Sequence, residues 1–346
     1  LKQDIQHEAK ILDNNEIIID GQLVGKINGL KISLDYTATA LQTDIKSIKK
    51  AARNGVATEL KRRIEEIINS PESLRLKKDK NIYWQDQVVG KIHPGKNYLN
   101  PDVKIIVDES IEPQDQQRIT QSLLGWLKQE KKNLLQDLIR IENSNIENRF
   151  IRGLCYQLFE NNGVLKRESV DSIVKQINKE DRVSLRKLGI KIGRYHIYQP
   201  RMVKPAAVTF KTILWNCFYN LSENECPAFG LNFVKNFSNK NKEYLLICGF
   251  ETFDHYIVRI DMLERLFLKI ISLGKSGTFE LTSDMLNLLG STKEDFKELM
   301  KKMNYKCIEN KEKTLFKYMP KKYFSKSIAT KVSNNPFSEL KKIKTL

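Results

Sequence analysis

The pattern of apolar and polar positions repeats within the first part of the chain. Residues 20–27 (DGQLVGKI) recur 65 positions later as residues 85–92 (QDQVVGKI). Short runs rich in β-branched and aromatic residues lie on both sides of each copy, as is typical of hairpins, and a helical pattern follows each one. Two such units can bury their apolar faces against each other. We therefore expect a duplicated scaffold at 1–142, with three-stranded copies at about 11–70 and 76–142 and helices at 43–68, with a break near Asn54-Gly55, and at 112–141.

Residues 143–222 are predicted to be mainly helical. Apolar side chains recur at three- and four-residue steps across 145–178. A second apolar helix begins at Pro205, because proline suits the first turn of a helix. The α-helical patterns and the short sheets together predict an α+β, multidomain fold.

A basic segment at 182–211 lies between these helices. It contains eight Lys or Arg and no Asp or Glu, although 29% of the whole chain is charged. Tyr195, His196 and Tyr198 lie between its cations, and cations mixed with rings suit a phosphate backbone with stacked bases. Three interpretations remain open: a nucleic-acid-binding surface, a solvated basic loop, or a strand in which Tyr195 and Tyr198 face the core.

Residues 223–243 are linker-like, and residues 244–320 have the pattern of a winged helix. Three helices precede two strands there, and in a winged helix the third helix enters a nucleic-acid groove while the hairpin follows the backbone. Many modules with this order bind protein instead. The lysines that would contact nucleic acid are Lys293, Lys297 and Lys301 on the third helix and Lys311 and Lys313 at the hairpin tip. Residues 321–346 form a basic tail.

The composition narrows the classes of partner. A net charge of +17 favours an anionic polymer or a membrane surface. The longest apolar run, residues 244–250, has the length of a core strand, so a membrane span is not expected. Five scattered cysteines argue against a disulfide framework and a zinc site, which predicts a cytoplasmic protein. The chain begins at Leu1 without Met, so we expect a fragment or the product of a truncated reading frame.

The sequence offers no catalytic constellation. Gly274-Lys275-Ser276 lacks the earlier glycine of a phosphate-binding loop, because Lys269 occupies that position inside a predicted helix. Hydrolase and dinucleotide-binding motifs are missing, and the four histidines have no metal-ligand spacing. We expect no cofactor, no metal and no catalytic residue in this chain.

Residues 186–207 (RKLGIKIGRYHIYQPRMVKPAA) resemble the C-terminal region of bacterial relatives of the mitochondrial degradosome RNA helicase, which are DExH-type helicases of superfamily 2. The resemblance continues through residues 258–266, 284–290 and 335–340. It implies an ATP-dependent motor upstream, whose motifs this chain lacks. Gln199 and Arg201 depart from the pattern, since apolar or small residues are expected there.

The sequence therefore predicts a non-catalytic accessory region of a helicase, binding single-stranded or structured RNA, or DNA, beside a motor supplied elsewhere. The alternative is a protein-interaction scaffold that docks on a helicase motor or another acidic partner. The predicted contacts are phosphate ligands at Arg186, Lys187, Lys191, Arg194, Arg201 and Lys204 and stacking rings at Tyr195, His196 and Tyr198, together with the lysines of the winged-helix-like region.

Overall fold

The computed structural model describes residues 9–19, 21–34, 45–144, 146–222, 226–238, 241–274, 277–310 and 313–320. Within these ranges the chain is α+β, with helices and several small antiparallel sheets, as predicted. It divides into two compact units, Leu1–Leu268 and Lys269–Leu346. The division falls after residue 268, whereas the sequence suggested a domain beginning at residue 244.

The first unit begins with two sheets of the same design. The first has β1 (Ala9–Ile11), β2 (Glu16–Ile19), β3 (Gln22–Asn28) and β4 (Lys31–Leu34), and the second has β5 (Leu74–Leu76), β6 (Asn81–Trp84), β7 (Gln87–Asn97) and β8 (Asn100–Ile105). Each is an antiparallel meander in sequence order, and their β-bulges begin at Ile17 and Ile82, again 65 residues apart. Each sheet has four strands rather than the three predicted, because three-residue strands as short as β1 and β5 leave little periodic signal.

A helix follows each sheet. α1 (Ile45–Asn69) is continuous, although we expected a break near Gly55. A Cβ atom at Gly55 would lie 2.4 Å from the Cβ of Ala9, so the glycine lets α1 lie close against β1. The second predicted helix is divided at Leu135 into α2 (Pro113–Leu134) and α3 (Gln136–Glu142).

The buried side chain of Arg63 joins the two copies. Its Nη1 donates to the carbonyl of Gly29 and to Oε1 of Gln87, both at 3.0 Å, so one guanidinium bridges both sheets. Its Nε donates to Glu59 at 2.8 Å, and Nη2 donates to Asn15. Because Arg63 is only 3% exposed, these bonds replace its lost hydration and make it a structural link.

The predicted helical stretch after residue 145 contains a strand. The elements are α4 (Arg149–Glu160), β9 (Val164–Lys166), α5 (Asp171–Lys175), α6 (Lys179–Lys187), β10 (Lys191–Ile192), β11 (His196–Tyr198) and α7 (Pro205–Phe218). Asn162 and Gly163 have positive φ, which ends α4 and turns the chain into β9. β9 then pairs with β11 in a sheet of order β10-β11-β9, and α7 begins at Pro205 as predicted.

Residues 226–268 complete the first unit. The elements are β12 (Phe233–Lys235), α8 (Lys242–Ile247), β13 (Phe250–Thr252), β14 (Tyr256–Arg259) and α9 (Ile260–Leu273), which continues past the unit boundary. The linker-like stretch thus contains a strand, and β12 pairs with β14. The apolar run that has the length of a core strand forms α8 instead, since Asn241 caps it by accepting the backbone N–H of Tyr244 at 3.0 Å.

The second unit has the element order expected from its sequence, with one strand added. After α9 come β15 (Thr278–Glu280), α10 (Ser283–Leu289), α11 (Lys293–Lys302), β16 (Tyr305–Glu309) and β17 (Thr314–Tyr318), in a sheet of order β15-β17-β16. Phe279, Phe296 and Phe316 are buried and form its ring-to-ring core. Its assignment as a winged helix stays a prediction. The tip residue Lys311 and the tail at 321–346 lie outside the described residues.

Candidate nucleic-acid interface

A cleft of about 470 Å³ opens between the basic segment and the first turns of α9. The cations that line it come from α6, β10, the turn before α7, and α9: Arg182, Arg186, Lys191, Lys204 and Arg265. Within the described residues, none of these five side chains forms an ion pair or a hydrogen bond. Three of them, Arg186, Lys191 and Lys204, are predicted phosphate ligands that the fold brings together.

Two carboxylates also line the cleft, but both are engaged elsewhere. Asp261 accepts two hydrogen bonds from Arg259, from Nε and from Nη2, each at 2.7 Å. Glu264 is only 3% exposed. The cleft therefore presents cations to solvent, while its acids serve the fold.

Glu264 holds the turn of the basic segment against α9. Its Oε2 accepts the backbone N–H of Arg194 at 2.5 Å, and its Oε1 accepts those of Tyr195 at 2.9 Å and His196 at 2.7 Å. A Cβ atom at Gly193 would lie 2.2 Å from Oε2 of Glu264, so this approach requires glycine. One buried carboxylate thereby fixes the backbone on which the basic side chains stand.

The imidazole of His196 lies between two carboxylates. Its Nε2 is 2.8 Å from Oε2 of Glu251, and its Nδ1 is 3.1 Å from Oε1 of Glu264. Burial lowers the pKa of His196, but hydrogen bonds and charge from Glu251 and then Glu264 outweigh it, so the pKa is raised. Burial alone would raise the pKa of Glu251. Hydrogen bonds from His196 and Lys166 lower it by more, so the net shift of this pKa is downward. The arrangement favours an imidazolium ion that ties β11 to β13 and α9.

The predicted stacking role does not fit His196 or Tyr198. His196 is 2% exposed and Tyr198 is 5% exposed, so neither ring offers a face to a base. Tyr198 fits the interpretation of a strand whose rings face the core, because β11 places its side chain among buried residues. Tyr195 differs, because its ring is only half-buried. This ring meets the Phe267 ring edge-on, with centroids 4.5 Å apart, and the Arg194 guanidinium lies 5.9 Å from the centroid of the Tyr195 ring.

The remaining predicted phosphate ligands lie outside the cleft. Lys187 and Arg194 are exposed but do not line it. Arg201 is exposed and donates to Oε1 of Gln136 at 2.7 Å. Arg182 and Arg265 were not among the predicted ligands. Arg182 belongs to the acid-free segment and could have been included, whereas only the fold brings Arg265 to the cleft.

In the second unit, acidic neighbours neutralise most of the predicted lysines. Lys297 pairs with Glu309, which raises the pKa of Lys297 through a hydrogen bond, and Lys293 lies 4.0 Å from the same carboxylate. Lys313 pairs with Glu280 at 3.1 Å. Lys301 is exposed, with no ion pair to another described residue.

Other kinds of site find little support in the described ranges. These ranges contain no group of three or more His, Cys, Asp or Glu placed to hold a metal ion. Their helices also include none with the length and apolar character needed to span a membrane. Lys269 lies within α9, and Lys275 and Ser276 fall outside the described residues.

No family model, curated protein or solved structure matches this chain.

Proposed function

We propose that this chain is a non-catalytic nucleic-acid-binding module that holds single-stranded or structured RNA in the cleft beside α9. The observation that carries the proposal is the convergence of five cations, without ion pairs to described residues, on one concave surface. Phosphate contacts by Lys and Arg supply most of the sequence-independent affinity for nucleic acid. The Glu264 anchor adds preorganisation of the backbone, because the turn at residues 194–196 is already fixed before a strand binds.

Apolar groups beside the cations suit bases and sugars. Leu268 lines the cleft and is 67% exposed, and Ile192 and Met262 lie at the same surface. A strand whose phosphates meet Arg186 and Lys191 would place its less polar parts near these side chains. Tyr195 does not line the cleft, so it would stack only on a base that extends beyond the cleft; such a contact is worth about 1–3 kcal/mol per base.

The helicase context of the proposal depends on the resemblance of residues 186–207 to accessory regions of DExH-type helicases. In that context an ATP-dependent motor, supplied elsewhere, would move the strand that this chain holds. DNA is the other nucleic-acid ligand that the same contacts accept. The alternative function is a scaffold whose cationic cleft docks on an acidic surface of a motor domain.

The test is fluorescence anisotropy with a labelled single-stranded RNA over a series of salt concentrations. Affinity of the full chain is expected to fall steeply with salt, and Lys191→Glu should flatten the slope by about 0.7 or more, as expected for a lost single-strand phosphate contact. The matched control is Lys61→Glu, which makes the same charge change on the exposed face of α1. Equal slopes for the two variants, or no binding at low salt, would contradict the proposal. Salt-sensitive binding to a purified motor domain without RNA binding would instead support the scaffold.

A further inference from the structure

A second pocket, of about 350 Å³, lies in the first unit among residues to which the proposed function gives no role. Its walls are the connection between β7 and β8, the end of α4, the end of α7 and one side of α8. The chain thus brings four separate elements to one concavity.

Three aromatic rings form one side of this pocket. The rings of Tyr98 and Trp215 meet edge-on with centroids 5.7 Å apart, and those of Trp215 and Tyr219 are tilted with centroids 4.3 Å apart. Tyr219 is 49% exposed, so one face of this group is open to a ligand. Aromatic faces carry partial negative charge and attract cations that come within about 6 Å of the ring.

The charged residues of the pocket are both acidic. Glu160 at the end of α4 and Glu243 in the first turn of α8 line it, and no Lys or Arg does. Neither carboxylate forms an ion pair or a hydrogen bond within the described ranges. Lys211 reaches the backbone carbonyl of Asn162 at 3.2 Å, but its side chain is fully buried and does not line the pocket. In a protein of net charge +17, this is a local site of opposite sign.

Three side chains of the wall also carry buried polar atoms without a hydrogen-bond partner among the described residues. They are the Tyr98 hydroxyl, Oδ1 of Asn162 and Nε1 of Trp215. Asn162 and Trp215 are 4% and 7% exposed, and buried polar groups of this kind are nearly always satisfied. The oxygens of Asn162 and Tyr98 can accept an N–H group, and the Trp215 N–H can only donate.

We propose that this pocket binds an organic cation, an ammonium or guanidinium group carried on an alkyl chain. The rings would contact the cation and the adjoining methylene groups, and Glu160 and Glu243 would balance its charge. The absence of a cation from the wall disfavours phosphate, so this pocket and the basic cleft select ligands of opposite charge. The same chemistry is found in a free polyamine and in a Lys or Arg side chain of a peptide.

Isothermal titration calorimetry of the full chain tests the proposal with spermidine, argininamide and an end-blocked Gly-Arg-Gly peptide as probes. At least one probe is expected to bind, and the Glu160→Gln/Glu243→Gln variant should weaken it about tenfold or more, as loss of both counter-charges beside aromatic faces predicts. Spermidine binding alone would identify a free cation as the ligand, and binding of the peptide would identify a side chain.

Glu168→Gln is the matched control, because it removes an exposed carboxylate that does not line the pocket. It should leave binding of the probe unchanged. An unchanged thermal midpoint in both variants would show that the fold is intact. RNA affinity should also stay the same, so that failure of this proposal can be distinguished from failure of the proposed function. Absence of heat with all three probes, or equal affinity of the wild type and the double variant, would overturn it.

Discussion

The carboxylate of Glu264 accepts the backbone N–H of His196 at 2.7 Å and lies 3.1 Å from Nδ1 of the same residue. These two contacts connect positions 68 residues apart in the sequence. They bring α9, which carries Arg265, against the segment that carries Arg186 and Lys191. The basic cleft therefore depends on a buried acid, although the segment that forms its other wall contains none.

His196 makes the stability of the first unit dependent on pH. Because its pKa is raised above the ordinary value of 6.5, its contribution is complete below that pH and is lost as pH rises through the folded-state pKa. The pKa of Glu251 is lowered from 4.5, so its contribution is present above that pH and is lost as pH falls through the folded-state value. The pair is thus expected to stabilise most between these two ordinary values.

Urea unfolding of the wild type and of His196→Gln over a series of pH values tests this expectation. The difference in unfolding free energy should be greatest in mildly acidic solution, at about 3–5 kcal/mol for loss of a buried charged partner, and should shrink towards alkaline pH. His93→Gln is the control, since His93 is exposed and should show almost no difference. A difference for His196→Gln that is constant with pH would contradict the imidazolium assignment.

Arg63 and Arg62 offer a direct comparison of a buried and an exposed arginine. Arg63→Met should lower the unfolding free energy by about 1–3 kcal/mol, because it removes the buried hydrogen bonds that Arg63 donates to the carbonyl of Gly29 and to Gln87. Arg62→Met removes only exposed pairs with Glu59 and Glu66 and should cost less than about 1 kcal/mol. Chemical denaturation of the two variants gives both values, and equal losses would rule out Arg63 as the link between the copies.

Local signals in the sequence predicted much of the fold. Pro205 begins α7 as expected, because proline suits the first turn of a helix. This signal depends on neighbouring residues alone, whereas the repeat is visible because the same pattern occurs twice, 65 residues apart. Such signals are readable because capping and turn geometry are set within a few positions.

Long-range pairing explains most of what the sequence did not predict. β9 and β12 are three residues long and are defined by partners, β11 and β14, that lie far along the chain. Likewise, no local rule distinguishes His196 as a buried ion from an exposed stacking ring. Its position depends on Glu251 and Glu264, which come more than fifty residues later.

Cys226 is expected to react with an alkylating reagent before the buried thiols Cys155, Cys217 and Cys248. Hydrogen bonding with Cys248, whose sulfur lies 3.5 Å away, lowers the pKa of Cys226, and burial opposes this only in part. Burial raises the pKa of Cys155 to about 12, and the contact with Cys226 together with burial raises that of Cys248. Reactivity follows the thiolate fraction and access.

Timed labelling with iodoacetamide at neutral pH, read by peptide mass spectrometry, measures these rates. Cys226 should be modified well before Cys155 and Cys248, and Cys248→Ala should slow its reaction by removing the hydrogen bond to its sulfur. The partly exposed Cys307 in the second unit serves as an internal reference within the same sample. Faster labelling of Cys155 than of Cys226 would show that the pair at 226 and 248 is arranged differently.

Arg265 gives the most specific test of the cleft, because only the fold places it beside the basic segment. If RNA lies in the cleft, Arg265→Ala should weaken binding about as much as Arg186→Ala, and each should reduce the salt slope by about 0.7. Arg152→Ala is the control, since Arg152 is exposed on α4 and does not line the cleft. Anisotropy at several salt concentrations measures all three variants. If only Arg186→Ala weakens binding, the strand follows the outer face of α6, and α9 serves only to hold His196 in place.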